Sequence, residues 1–345
     1  MLDNINISIV GIGLMGMQHI KAIEQCKNIK LHSIIDPRSS SKEVADNKKV
    51  KWFENIDELL MQDKIPDGVI IATPNQLHKE HTLKILNNKI PVLLEKPIAD
   101  SIYAAETIVS ESIKRETDLL IGYHRRHNPI TKFVKEQIDS GKLGEIVSVH
   151  GNFWLYKPDD YFNEEWRRNK GAGPLGINCV HDIDLLCYLL GDIKSVQALK
   201  SNKIRKFEVE DTAVVLLEFN SGALGTLNIS DTIVSPWSYE LTAGENPAYP
   251  ETSESSYFIG GTESSLQFPN ARRWYHLNEK SWWSPISSEQ IPIEKDHPLV
   301  NQIKHFANVI NKIEKPIVSG QDGLKSLKIF EAINESVSKN SKIMI

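Results

Sequence analysis

A strand-like run, Ile5 to Val10, leads without a break into Gly11-Ile12-Gly13-Leu14-Met15-Gly16. Apolar residues then recur at helical spacing, at Met17, Ile20, Ala22, Ile23 and Cys26. A glycine-rich turn between strand and helix is a narrow solution. The first glycine permits the tight turn, the second lets the backbone approach a pyrophosphate, and the third lets the helix pack on the sheet. Free N–H groups and the dipole at the helix start favour the phosphate charge. Gly11, Gly13, Leu14, Met15 and Gly16 are therefore candidate cofactor contacts, in a βαβ unit that opens the chain.

The second strand fits the same unit. Leu31 to Ile35 is apolar and ends at Asp36, about 20 residues past the glycines, where an acid meets the adenosine ribose. Its carboxylate accepts from ribose hydroxyls and repels a 2′-phosphate, so NAD is the expected cofactor. Arg38, followed by Ser39 and Ser40, can accommodate a 2′-phosphate, which leaves NADP open.

The alternation continues with Lys51–Phe53, a helix at Ile56–Leu60 and a buried strand through Val69–Ala72. That strand ends in Thr73-Pro74-Asn75-Gln76-Leu77-His78, where Asn75 can cap the next helix or meet the cofactor. Val92, Leu93 and Leu94 form another buried strand, closed by Glu95-Lys96-Pro97. Ligands of open parallel sheets bind beyond the carboxyl ends of the strands. Lys96 can there donate to a substrate hydroxyl or help move its proton; a plain strand-end salt bridge is the alternative. A helix from about Ser101 to Lys114 and the strand Leu119–Gly122 complete a doubly wound parallel sheet, a Rossmann domain over residues 1–122.

Residues 123–345 read as a second α/β domain. Tyr123-His124-Arg125-Arg126-His127 marks the crossing, and Arg125 is either a substrate contact or part of a solvated basic loop. After the strand Ile146–Trp154, the segment Tyr156–Lys170 is too polar for core and too aromatic for a spacer. Its Lys157, Tyr161, Trp166 and Arg167 suit the stacking and bidentate contacts of polyols or sugar acids. Gly171-Ala172-Gly173 opens a helix with Asn178 and His181 one turn apart on one face. Asn178 can bind a substrate hydroxyl or cap the helix. The apolar stripe begins after His181, so His181 is expected at an exposed end. Strands dominate from Ile193 onward, Ser238–Thr242 among them, and two helices near Val300–Ile313 and Gly323–Ser338 finish the chain.

The net charge of −5, with scattered Lys and Arg, argues against a nucleic-acid binder. No apolar run approaches a membrane span. Three cysteines without metal-ligand spacing, and no export signal, point to a metal-free cytoplasmic protein.

Taken together, the whole chain resembles the glucose–fructose oxidoreductase/inositol dehydrogenase family, Gfo/Idh/MocA. The resemblance rests on Gly11–Gly16, on Thr73-Pro74-Asn75 with His78, and on Glu95-Lys96-Pro97. It also rests on Gly171-Ala172-Gly173-Pro174-Leu175 followed by His181-Asp182-Ile183-Asp184. It implies a nicotinamide-dependent oxidoreductase of sugars, cyclitols or related polyols, with cofactor contacts at Thr73, Asn75, His78, Glu95 and Lys96. It further implies His181 as the acid/base, Trp166 and Arg167 near nicotinamide and substrate, and a C-terminal domain on a large open, mostly antiparallel sheet. Pairing through that sheet would give a homodimer or homotetramer. Many relatives place an Asp four residues before His181, where this chain has Ile177. Two other readings are a non-catalytic dinucleotide sensor and an enzyme that retains NAD and recycles it within one turnover.

Overall fold

The computed structural model describes residues 4–345. They form two compact units: residues up to His127 with His297–Leu327, and Asn128–Asp296 with Lys328–Ile345. A single cut after Gly122 therefore does not describe the division. The helix Pro298–Ile310 returns to the first unit, where Val300, Ile303 and Phe306 join Ile7, Ile9 and Ile20 in one core. Gly68 makes room for it, since a Cβ there would lie 2.6 Å from Ile310 Cδ1 and 2.9 Å from the Phe306 ring.

The first unit is built on strands β1 (Ile5–Val10), β2 (Ile29–Ile35), β3 (Lys51–Phe53), β4 (Gly68–Ile71), β5 (Val92–Leu94) and β6 (Leu119–Ile121). They pair in parallel in the order β3-β2-β1-β4-β5-β6. This is the doubly wound order whose chain reversal lies between β1 and β4, where dinucleotides bind. Every residue of β4 and β5 is buried, as expected of strands covered on both faces. The helix Ile102–Lys114 starts where Ser101 accepts from the Ala104 N–H at 3.3 Å.

The second unit carries β7 (Ile146–Trp154), β8 (Ile193–Ser201), β9 (Thr212–Phe219), β10 (Leu224–Ser230), β11 (Tyr257–Gly261), β12 (Ser264–Phe268), β13 (Arg272–Tyr275), β14 (Ser287–Gln290) and β15 (Ile343–Met344). Their order is β14-β13-β12-β11-β7-β10-β9-β8-β15. Only β7 and β10 pair in parallel; the other neighbours are antiparallel. In β9 the inward residues Ala213, Val215, Leu217 and Phe219 meet Ile183, Leu186 and Leu189 of the helix Val180–Leu190. The opposite face exposes Val214 and Leu216.

One expected strand is a helix. Ser238 caps the short helix Tyr239–Thr242 by accepting from the Leu241 N–H, and the cap overrides the strand preference of Tyr239 and Thr242. Strands β13 and β14 were not anticipated, because neither shows buried–exposed alternation deep enough to stand out.

Candidate functional site

In the first unit the glycine turn has the geometry that its sequence demands. Gly11 has φ +90°, and a Cβ on it would lie 2.7 Å from the Ala72 carbonyl oxygen. A Cβ on Gly16 would lie 2.1 Å from the Gly11 oxygen, so turn and helix touch backbone to backbone. Around Gly13 nothing lies within 4 Å of such a Cβ. Gly13 also starts the helix Leu14–Glu24, with no side chain capping its first N–H groups. An open approach to uncapped helix-start donors fits a pyrophosphate. Leu14 is exposed and Met15 partly so. A cleft of about 600 Å³ follows, lined by Gly11, Gly13, Asp36, Arg38, Thr73 and His81 among others.

Asp36 is buried at the end of β2. Its Oδ2 accepts from the Ile12 N–H at 2.8 Å and from Arg38 Nη2 at 2.7 Å. Its Oδ1 accepts from the Arg38 backbone N–H at 3.0 Å and Nε at 2.9 Å. Burial opposes the charge, yet the Arg38 bonds and the backbone donors outweigh it and hold the carboxyl far below its ordinary range. The acid is thus ionised at any working pH, as recognition of a ribose diol requires.

Beyond β5, Glu95 is buried. Its Oε1 meets His19 Nε2 at 2.7 Å, and its Oε2 accepts from the Lys96 backbone N–H at 3.2 Å. Burial raises the Glu95 pKa, but the His19 hydrogen bond leads a set of opposing effects and the net shift is downward. Gly122 belongs to this arrangement, since a Cβ there would lie 3.0 Å from the Glu95 carboxylate. Glu95 therefore braces the backbone of half-buried Lys96. His78 is also a brace. It is buried, with Nδ1 2.8 Å from the Pro97 oxygen and Nε2 2.9 Å from the Thr73 oxygen, and it does not line the cleft. Thr73 Oγ1 lies 3.2 Å from His81 Nδ1. Asn75 opens a short 3₁₀ turn and caps neither it nor the helix His78–Asn87. Arg125 and Arg126 are buried in the turn His124–His127, so the solvated-loop alternative does not hold.

The second unit holds a cavity of about 450 Å³ lined by Lys157, Tyr161, Ile177, Asn178, Ser235 and Tyr249 among others. Lys157 is buried, with Nζ 3.7 Å from Asp231 Oδ2 and 5.1 Å from the Tyr161 ring centre. Burial is the main influence on its ammonium and lowers its pKa, against the pull of Asp231 and Glu240. The Arg167 guanidinium lies 4.1 Å from the Tyr161 ring centre, and Nη1 donates to the Tyr161 carbonyl at 2.7 Å. Trp166 is 53% exposed and stands outward.

Asn178 lies in a π-helical turn, Leu175–Cys179, that runs into the helix Val180–Leu190. The wider turn comes with a close approach at its start, where a Cβ on Gly176 would lie 2.4 Å from the Gly171 oxygen. His181 is 9% exposed, not at an open end as its sequence position implied. Asp182 and Asp184 are buried beside it, and the Tyr257 hydroxyl donates to Asp182. These acids extend the buried part of the helix N-terminal to its apolar stripe. Sequence reasoning missed His19, Asp231, Ser235 and Tyr249. The His19–Glu95 contact spans 76 positions, and the others sit in loops without periodic signal; only the location of Asp231 just past β10 marks a strand end.

Known families match both halves of the chain. Residues 5–123 match the Gfo/Idh/MocA model described as oxidoreductase family, NAD-binding Rossmann fold. Residues 135–345 match that described as oxidoreductase family, C-terminal alpha/beta domain. The chain is 26% identical to scyllo-inositol 2-dehydrogenase (NAD(+)) of Bacillus subtilis, covering 100% of this chain and 97% of that protein. It is 29% identical to 2,7-anhydro-N-acetylneuraminate hydratase of Escherichia coli over 70% of this chain and 65% of that one. The WlbA dehydrogenase of Bordetella pertussis, solved with NADH and UDP-GlcNAcA, has the same fold. Its TM-score is 0.78 at 22% identity, with 99% of both chains covered. The resemblance read from the sequence motifs is borne out across both halves: the chain belongs to the Gfo/Idh/MocA family of oxidoreductases and has its NAD-binding Rossmann fold.

Proposed function

We propose that the protein oxidises a carbinol carbon of a sugar, cyclitol or related polyol, or reduces the matching carbonyl, with NAD. The observation that carries this reading is Lys96, at the carboxyl end of β5 with its backbone fixed by the Glu95–His19 pair. The inositol dehydrogenase among the relatives supports the substrate class.

NAD, when bound, supplies the hydride acceptor or donor. The Gly13 backbone and the uncapped helix start would hold its pyrophosphate, and Asp36 its ribose. In oxidation the carbinol loses a hydride from carbon and a proton from oxygen, leaving a carbonyl. Lys96 would donate a hydrogen bond to that oxygen and stabilise the negative charge that develops there. His181 would take the proton, and return it in the reverse direction. Asn178, Lys157, Tyr161 and Arg167 would bind the substrate, with Trp166 at the rim and Arg125 as a further contact.

A cytoplasmic setting is supported by three buried free cysteines. No described helix is long and apolar enough to cross a membrane. Assembly through the open face of the second sheet fits the apolar residues exposed there.

The hydratase relative favours a second reading, in which NAD stays bound and is regenerated within each turnover. Purified protein given NAD and a panel of sugars and cyclitols separates the two. Net NADH accumulation with one of them is expected. Turnover with no net NADH would establish the second reading instead.

A further inference from the structure

Two polar atoms in the second unit's cavity are buried without hydrogen-bond partners: Lys157 Nζ and Asn178 Oδ1. Lys157 as a whole is 7% exposed, and its nearest carboxylate, Asp231, stands at 3.7 Å, beyond hydrogen-bond range. Buried polar atoms are nearly always paired in native proteins, so two in one cavity point to a ligand. The pair is also complementary in kind. An ammonium only donates, and an amide oxygen only accepts. A hydroxyl satisfies both through one atom; two neighbouring hydroxyls of one ring do so together.

Charge narrows the choice further. Asp231 and Glu240 act on Lys157 with Arg205, Asp211 acts on Asp231, and Arg167 acts on Tyr161. Lys157, Arg205 and Arg167 thus face Asp231, Asp211, Glu240 and Asp159, whose Oδ1 lies 3.4 Å from Arg205 Nη1: three cations against four carboxylates. Arg205 is engaged already, with Nε 3.0 Å from Asp231 Oδ1 and Nη2 2.6 Å from the Lys157 carbonyl oxygen. No surplus cation awaits an anionic group in this cavity, and an ionised carboxylate or phosphate group placed against Asn178 Oδ1 has no proton to donate to it. Ile177, Val234, Leu241 and the rings of Tyr161 and Tyr249 supply the apolar walls.

We infer that Lys157 and Asn178 read neutral hydroxyl groups, so the substrate is an uncharged sugar or cyclitol and not a sugar acid or sugar phosphate. This deepens the polyol-dehydrogenase reading and rests on it.

The test titrates the full-length protein, loaded with NADH, with myo-inositol, glucose, glucuronate and glucose 6-phosphate by calorimetry. A neutral probe should bind more tightly than either anion. Its affinity should fall about tenfold or more in Lys157→Met and in Asn178→Ala, each of which removes one hydrogen bond. Lys157→Met also deletes the ion pair with Asp231; should that variant unfold, Asn178→Ala carries the test alone. Tighter binding of an anion, unchanged neutral binding in the variants, or no binding of any probe overturns the inference. Parallel assays with NAD separate it from the parent reading. Turnover of an anionic probe overturns the hydroxyl assignment and leaves the oxidoreductase standing. Neutral binding without turnover of any kind does the reverse.

Discussion

The main chain of Lys96 is anchored from behind: its N–H donates to the carboxylate of buried Glu95, which buried His19 holds in turn. A side chain fixed through its own main chain can direct its charge at a ligand with little reorganisation. Lys96→Ala should therefore lower kcat by about a hundredfold, the typical cost of removing one oxyanion-type donor. NADH affinity, read by fluorescence titration, should stay close to native. Unchanged kcat at saturating substrate would remove Lys96 from the chemistry. The placement of Gly11–Gly16, Asp36 and Lys96 was legible from residue order alone, because all lie just past strands that their own neighbours define. The roles of Glu95 and His78 were not legible in full. Both are buried, and contacts such as Glu95 with His19 and His78 with Pro97 join positions that no local pattern links.

At the scale of elements, the returning helix Pro298–Ile310 brings His305 against His127, with ring centres 5.1 Å apart. Burial, then the charges of His305, His124 and Arg126, push the His127 pKa down from 6.5 to about 3. The folded protein thus keeps His127 neutral where the unfolded chain would take up a proton. Stability is fully present above pH 6.5 and falls between 6.5 and about 3. The loss from this one group is up to about 1.4 kcal/mol per pH unit. Thermal melts from pH 7 to pH 5 should show this fall, and His127→Gln should flatten it; identical slopes in the two proteins would assign the acid sensitivity elsewhere. No sequence pattern announced this pair, since nothing in the segment His124–His127 indicates which distant helix covers it. The same holds for the helix after Gly173. Its apolar stripe was evident, but the π turn and the burial of His181 depend on a backbone contact between Gly171 and Gly176 and on packing against the sheet.

For the whole molecule, the second sheet keeps one face for its core and exposes a stripe of apolar residues on the other. Leu199 pairs with Val214 across β8 and β9, and Leu216 and Leu224 continue the exposed stripe. Patches of this kind mark association surfaces. Light scattering should give the native protein a mass of two or four chains, and Leu216→Glu should shift it toward one. A monomeric native protein at micromolar concentration would refute assembly through this face. A run of short strands was legible in the residues, and the family resemblance implied that their sheet is mostly antiparallel. The allocation of the helix Pro298–Ile310 to the first unit was not, because an amphipathic helix carries no label for the sheet that it covers. The proposed reaction moves a hydride from a carbinol carbon to NAD. It is tested most directly with a substrate deuterated at that carbon, followed by mass spectrometry of the cofactor. Each turnover should leave one deuterium on the nicotinamide of NADH. Substrate conversion with a cofactor free of deuterium throughout would contradict it.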